Sequence, residues 1–138
     1  MSVDEKTIEV LREALDDEYK ARATYQSVID RFGPVRPFVN IIEAEERHAS
    51  ALLALFRQFG VEPPKDRWAG CVPAAASLLE ACRAGVEAEI ENAAMYGRLM
   101  TQVSDPRARE ILQRLQQASQ ERHLPAFRHC LDRESRSF

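Results

Sequence analysis

The 138-residue sequence has little of what strands, tight turns and disulfide-rich folds require. It contains only five glycines and three cysteines, and few runs of β-branched residues. Long stretches rich in Ala, Leu, Glu, Arg and Gln favour helix, and no alternation of polar and apolar residues competes with them. The cysteines are odd in number and include no C-x-x-C pair, which argues against a disulfide framework and a cysteine-based zinc site. We therefore expect helix throughout, and a reducing cytoplasm as the compartment.

Neither charge nor hydropathy points to a nucleic acid or a membrane. The formal net charge is -3, and basic residues interleave with acidic ones, so no nucleic-acid surface or membrane-surface helix is expected. We find neither a signal peptide nor an apolar run that could span a membrane. With 45% hydrophobic residues, residues 1–138 are expected to fold as one domain whose core needs no disulfide or metal ion to stabilise it.

Four helices are predicted from the spacing of apolar residues and from their end signals. They cover residues 4–32, 38–59, 73–103 and 106–131. Their boundaries are marked by Gly33-Pro34, Gly60, Pro73 and Asp105-Pro106. The first two helices must form an antiparallel hairpin because their connection is short, whereas residues 61–72 are long enough to cross the length of a helix. Pro125 is expected to kink the last helix and free the carbonyl of Glu121.

Every predicted helix carries an ionisable residue inside its apolar stripe. These residues are Glu18, Glu45, His48, Glu89 and His123. A buried, unpaired carboxylate costs several kcal/mol or becomes protonated, so such groups need partners of opposite charge or a metal ion. Arg22, on the first stripe, is a candidate partner for a carboxylate. Cys82 also lies on a stripe and is interpreted as a small core residue.

An internal repeat relates the two halves of the chain. Glu18–Tyr25 (EYKARATY) corresponds to Glu89–Tyr96 (EIENAAMY), and Glu45–His48 (EERH) corresponds to Gln120–His123 (QERH). Each half thus presents a Glu from its first helix and a His from its second. A Glu on each of two helices, with Glu-x-x-His on the other two, holds two metal ions in a four-helix bundle. Carboxylate and imidazole ligands suit iron or manganese.

On these residues the sequence resembles the ferritin-like superfamily and is most similar to its rubrerythrin-like and erythrin-like branch. The motifs are E-x-x-A-x-x-x-Y from Glu18 to Tyr25, Glu45-x-x-His48, and Glu89 with Tyr96. The resemblance covers nearly the whole chain. It implies an all-α, ferritin-like four-helix bundle of two antiparallel hairpins joined by a long crossover.

The resemblance also implies a ligand set. Glu18 and His48 would bind one ion, Glu89 and His123 the other, and Glu45 would bridge both. The second bridging Glu of the family falls on Gln120, a weaker ligand, and Glu121 is a conceivable substitute one residue off the stripe. The implied cofactor is iron, as two ions or one, with manganese as the alternative. Around the ligands, Arg22, Tyr25 and Tyr96 are candidates for a supporting role.

The resemblance implies a non-haem di-iron oxidase or peroxidase that reduces O2 or H2O2. The sequence lacks the paired C-x-x-C motifs of a rubredoxin module, so the self-contained electron transfer of a full rubrerythrin is not expected. Gln120 and Pro125 motivate an alternative: a non-enzymatic helical bundle with a degenerate metal site that binds a partner or dimerises. In that case Arg22 would pair with Glu18 or Glu89. A homodimer is expected from the resemblance only.

Overall fold

The computed structural model describes residues 3–136, which form a bundle of two helical hairpins. The segments are α1 (Glu5–Phe32), α2 (Phe38–Phe59), α3 (Leu78–Met100) and a fourth made of α4 (Pro106–Ala118), a π-helical turn (Ser119–His123) and α5 (Leu124–Ser135). α1 packs mainly against α2, and α3 packs against α4 and α5. The described residues contain no strand, so the predicted all-α four-helix bundle is confirmed. None of the helices described is long and apolar enough to cross a membrane.

The first hairpin follows the sequence prediction to within one residue because strong local signals mark its ends. The carboxylate of Asp4 caps α1 by accepting a hydrogen bond of 2.8 Å from the backbone amide of Thr7. Gly33 and Gly60 end the two helices at φ values of 92° and 69°, which residues with a side chain rarely adopt. The five-residue connection over 33–37 then returns the chain antiparallel.

The third helix begins later than predicted. It was expected to open at Pro73, but α3 begins at Leu78, after Ser77. The Ser77 hydroxyl accepts a hydrogen bond of 3.1 Å from the backbone amide of Glu80, and the two residues form the S-x-x-E pattern of a capping box. This cap outweighs the compatibility of Pro73 with a first helical turn. The crossover between α2 and α3 therefore covers residues 60–77, and α3 ends at Met100, three residues earlier than predicted.

Hydrogen bonds and ion pairs attach the crossover to α1. Arg67 donates to both carboxylate oxygens of Asp16, at 2.8 and 2.9 Å. The indole of Trp68 donates to the same carboxylate at 3.1 Å. Further along α1, Arg22 donates to Asp66 at 3.0 Å. The path of the crossover is therefore fixed by side chains of α1.

Two apolar clusters fill the bundle, with a polar layer between them along each helix. The first cluster includes Val10, Leu11, Leu15, Leu52, Phe56, Leu99, Leu112 and Leu115. The second includes Tyr25, Val28, Phe38, Ile41, Cys82, Phe127 and Cys130. On α2, α3 and the fourth segment, the buried residues Glu45, Glu89 and His123 separate the two clusters in sequence. On α1, buried Glu18 lies next to Tyr19, the last residue of the first cluster there. The site is thus surrounded by close-packed apolar side chains.

Cys82 and Cys130 form a disulfide that joins α3 to α5, with 5.7 Å between their Cα atoms. The expectation that the chain forms no disulfide is therefore wrong. It rested on an odd number of cysteines, and Cys71, exposed in the crossover, is the odd one. A separation of 48 residues carries no local signal that would pair the other two. The disulfide also removes the argument from cysteine number for a reducing compartment.

Gly85 allows α5 to pack closely against α3. A Cβ atom at this position would lie 2.5–2.7 Å from ring atoms of Phe127. That ring is fully buried and contacts the rings of Tyr25 and Phe38, so it cannot move aside without disturbing the cluster. We expect Gly85→Ala to lower the free energy of unfolding by about 1–3 kcal/mol, measured by urea unfolding.

Gly97→Ala, on the same helix, is the matched control for this prediction. Its added Cβ would meet only the side-chain amide of Gln116, at 3.0 Å, and a flexible side chain can give way. The gain in helix propensity, up to about 1 kcal/mol, then offsets the contact. An equal loss of stability in both variants would contradict the role assigned to Phe127.

Candidate metal centre

Five ionisable side chains reach the polar layer between the apolar clusters. They are Glu18 from α1, Glu45 and His48 from α2, Glu89 from α3 and His123 from the π-helical turn. Glu45 and His48 point to the same side because residues three apart share a face of an α-helix. The layer contains all five residues that the sequence singled out on its apolar stripes.

The possible ligand atoms form two groups that share Glu45. One group consists of Glu18, Glu45 and His48, the other of Glu45, Glu89 and His123, and within each the ligand atoms lie within 4.8 Å of one another. His48 Nδ1 is 3.5 Å from Glu18 Oε2. His123 Nδ1 is 3.2 Å from Glu89 Oε1 and 3.5 Å from Glu45 Oε1. Each group has the composition of a three-ligand metal position.

The two groups differ in their exposure to solvent. The side chain of His48 is 20% exposed, whereas that of His123 is 5% exposed. Glu18, Glu45 and Glu89 are all buried. The group that contains His48 therefore opens to solvent at its imidazole, while the group that contains His123 is enclosed.

Two tyrosines link the hairpins through the carboxylates of the layer. Tyr25 of α1 donates a hydrogen bond of 2.6 Å to Glu89 of α3, and Tyr96 of α3 donates one to Glu18 of α1. Burial, followed by the neighbouring carboxylate, raises the pKa of each phenol well above its ordinary value. Both hydroxyls therefore remain protonated donors at neutral pH and fix the orientation of the carboxylates they contact.

The three buried carboxylates cannot all be ionised at low cost without a cation. Burial, and then the charge of Glu18, raises the pKa of Glu45 well above its ordinary value. Burial opposes ionisation of Glu18 as well, but its neighbours Glu45, His48 and Tyr96 bring its pKa below the ordinary value. Without a cation, the layer therefore favours the neutral form of Glu45 beside the charge of Glu18.

One carboxylate oxygen of Glu18 tests whether a metal ion fits the layer. Its Oε2 atom is buried and makes no hydrogen bond, since the neighbouring His48 Nδ1 lies at 3.5 Å without hydrogen-bond geometry. An orphaned carboxylate oxygen in a core is costly unless a cation completes its coordination. The residues present therefore fit a divalent ion that would be bound by carboxylate oxygen and imidazole nitrogen.

The expectation that Gln120 or Glu121 adds a ligand from the fourth helix is wrong. Both side chains are exposed, and Glu121 belongs to neither group. The cause is the π-helical turn over Ser119–His123, which contains more residues per turn than an α-helix. The residue that shares the inward face with His123 is consequently Ser119, four positions earlier, which is buried.

Pro125 indicates that the α-helix is interrupted here, but not that the interruption is a π-helical turn. Because it has no backbone N–H, it cannot donate to the carbonyl of Glu121, so the regular α-helical ladder is interrupted there. Pro125 predicts a kink at this point, whereas the backbone forms a π-helical turn just before the proline. A turn of this kind shifts the register of every residue before it, which the spacing of Gln120 and His123 does not reveal.

Arg22 does not pair with the carboxylates of the layer. Its guanidinium donates to Asp66 in the crossover and lies over the ring of Tyr19, 5.0 Å from the centroid. The expectation that Arg22 neutralises Glu18 or Glu89 is therefore wrong. The described residues supply no Arg or Lys ion pair to the three buried carboxylates.

Comparison with known proteins gives a family and a fold. A family model described as Rubrerythrin matches residues 9–131. A hypothetical protein from Methanococcus jannaschii superposes with a TM-score of 0.87 at 19% identity, over 98% of this chain and 85% of that one. Bacterioferritin from Mycobacterium tuberculosis superposes with a TM-score of 0.82 at 18% identity, over 99% and 91%. No curated protein matches the sequence. The expected ferritin-like bundle is thus confirmed.

Proposed function

The chain belongs to the rubrerythrin family, and we propose that it binds two iron ions in its polar layer and uses them to reduce H2O2 or O2. The observation that supports this proposal is the pair of three-residue groups that share Glu45, in which every residue but His48 is buried. Carboxylate and imidazole ligands suit iron(II), and manganese is the alternative. Two bound Fe(II) ions would supply the two electrons that convert H2O2 and two protons to two molecules of water.

The charge of the layer supports two divalent ions together with an external anion. Ionised Glu18, Glu45 and Glu89 supply three negative charges, while His48 and His123 bind metal only as neutral imidazoles. Two divalent ions therefore leave one positive charge in an apolar surrounding. Such a site favours an anion as its further ligand, because an uncompensated buried charge is costly.

The protein supplies positioning and access. Tyr25 and Tyr96 hold Glu89 and Glu18 by hydrogen bonds, so two of the three carboxylates are oriented before any ion binds. Small molecules have two directions of approach: the exposed edge of His48, and a cleft of about 60 Å³ between α1 and α3 that reaches Tyr25. Both directions suit an oxidant of the size of O2 or H2O2.

Peroxide consumption by the iron-loaded protein tests the proposed activity. Protein reconstituted anaerobically with two equivalents of Fe(II) should consume H2O2 roughly tenfold faster than the same concentration of free Fe(II), because both ions and the carboxylates around them are held in place. Oxygen uptake measured under the same conditions tells which oxidant is preferred. Protein loaded with Zn(II), which has no redox chemistry, is the control.

Equal rates for loaded protein and free iron would reject the activity. Failure to bind iron would favour the alternative function, a metal-free helical bundle that binds a partner or dimerises. The observation in favour of that alternative is that the fourth helix brings only His123 to the layer, since Gln120 and Glu121 are exposed. Metal content therefore separates the two functions before any assay of activity.

A further inference from the structure

The disulfide between Cys82 and Cys130 occupies the same two helices as one of the ligand groups. Cys82 precedes Glu89 by seven residues on α3, and Cys130 follows His123 by seven residues on α5. Seven residues are two helical turns, so each sulfur-bearing residue lies on the helix face of a proposed ligand, about 10 Å along the axis. The covalent link therefore lies about two helical turns from the enclosed group, on the same two helical segments.

Buried side chains of one cluster lie between the disulfide and that group. Cys82, Cys130, Phe127 and Tyr25 belong to one buried cluster. The rings of Phe127 and Tyr25 are 5.1 Å apart between centroids, and the Tyr25 hydroxyl bonds to Glu89. Electrons tunnel readily through close-packed protein over two helical turns, which is about 10 Å. The arrangement thus has the contacts that a redox partner of the centre requires.

Arg133 places a positive charge beside one sulfur of the disulfide. Its guanidinium lies 3.8 Å from the sulfur of Cys130, while its side chain is 46% exposed at the end of the bundle. A cation beside a sulfur stabilises the thiolate that leaves when a disulfide is attacked. Cys130 is therefore the sulfur whose release Arg133 would favour once an external thiolate gains access to the buried Cys82.

We propose that Cys82 and Cys130 are a redox-active pair that returns two electrons to the metal centre after it has reduced an oxidant. This inference rests on the proposed function. As their S–S bond forms, the two thiols would lose two electrons to the ions held by the polar layer and two protons to the water formed from the oxidant. Together with reduction of H2O2, the balance is one peroxide and two thiols giving one disulfide and two waters. An external dithiol then reduces the S–S bond and is itself oxidised.

Thiol counting on the iron-loaded protein tests the pair. The full chain is loaded with Fe(II), reduced anaerobically with dithiothreitol, freed of reductant and mixed with one equivalent of H2O2. After denaturation and alkylation, mass spectrometry should show two of the three thiols lost, with Cys71 still reduced, and the iron should be recovered as Fe(II). In the Cys82→Ser/Cys130→Ser variant the iron should stay Fe(III). Cys71→Ser is the matched control and should behave as wild type.

The metal-free protein gives the rate of direct thiol oxidation. Because Cys82 and Cys130 are at most 1% exposed, their thiols should react with peroxide at least on the order of tenfold more slowly without iron. Equal rates would overturn the proposal, as would a disulfide that dithiothreitol cannot open in the folded protein. Iron that becomes Fe(III) and stays so while the thiols persist would overturn it and leave the proposed function intact. Iron that does not bind or is not oxidised would overturn both.

Discussion

Replacing Glu45 with alanine is expected to remove both metal ions together. Wild-type protein expressed with supplementary iron or manganese should contain nearly two ions per chain, and the Glu45→Ala variant nearly none. The reason is that Glu45 belongs to both groups, so its loss leaves only Glu18 with His48 and Glu89 with His123. Two protein ligands do not complete a stable position for a divalent ion that prefers several oxygen and nitrogen donors. Elemental analysis of the purified proteins measures the result.

Glu43→Ala is the matched control for this experiment. Glu43 lies on the same helix, two residues earlier, but is exposed and belongs to neither group. Its loss should leave the metal content unchanged, and circular dichroism should show that all three proteins are folded. Retention of one or two ions in Glu45→Ala would contradict the shared role of this carboxylate. If the wild-type protein contains no metal, protons rather than metal ions neutralise the buried carboxylates of the layer.

The sequence was sufficient for the bundle because its helix ends carry local signals. Asp4, Gly33 and Gly60 mark ends of the first hairpin through capping and positive φ, which depend only on neighbouring residues. The start of α3 was missed because Pro73 and Ser77 both permit a first turn, and only the hydrogen bond from the Glu80 amide decides between them. Where two local signals compete, three-dimensional structure is needed to choose.

The candidate site could be predicted as far as helical periodicity holds. Glu18 and Glu89 lie in uninterrupted α-helices, and their positions follow from a repeat of three and four residues. The contribution of the fourth helix could not be predicted in full, because the π-helical turn changes the spacing just before His123 and turns Gln120 outward. The pairing of Cys82 with Cys130 and of Arg22 with Asp66 depends on long-range packing, which periodicity does not encode.

The two halves of the bundle are similar in geometry as well as in sequence, but the second half has two features that the first lacks among the described residues. Tyr25 and Tyr96 hydrogen-bond across the hairpins in equivalent ways, and each half supplies one Glu and one His. Within residues 3–136, only the second half has a π-helical turn, and only its helices are joined by a disulfide. The two metal positions are therefore expected to be inequivalent, with the ion beside His48 exchanging faster because that group is open to solvent.

Removal of metal is expected to lower the melting temperature, and by more at pH 8 than at pH 5. In the metal-free protein, burial and the charge of Glu18 raise the pKa of Asp17 to about 7, and the pKa of Glu45 is also raised. Both groups hold protons that the unfolded chain has released above about pH 4, so metal-free stability falls as the pH rises from there through about 7. Metal binding displaces the proton on Glu45 and requires neutral His48 and His123, so metal affinity rises over the same range.

The size of the effect follows from linkage. An ion present at 100 times its dissociation constant stabilises the folded chain by about 3 kcal/mol, which corresponds to about 10 °C in the melting temperature of a domain of this size. Differential scanning calorimetry with and without a chelator, at pH 5 and pH 8, measures the difference. We expect it to be small at pH 5 and at least about 10 °C at pH 8.

Glu45→Gln separates this mechanism from general stabilisation by metal. The amide has the shape of the protonated carboxyl and cannot ionise, so the metal-free variant should melt at or above the temperature of metal-free wild type at pH 8. It should also depend less on pH, and added metal should no longer stabilise it. Equal stabilisation of the variant by metal would place the ions elsewhere on the protein. A wild-type melting temperature that a chelator leaves unchanged at pH 8 would show that protons, rather than metal ions, neutralise the buried carboxylates.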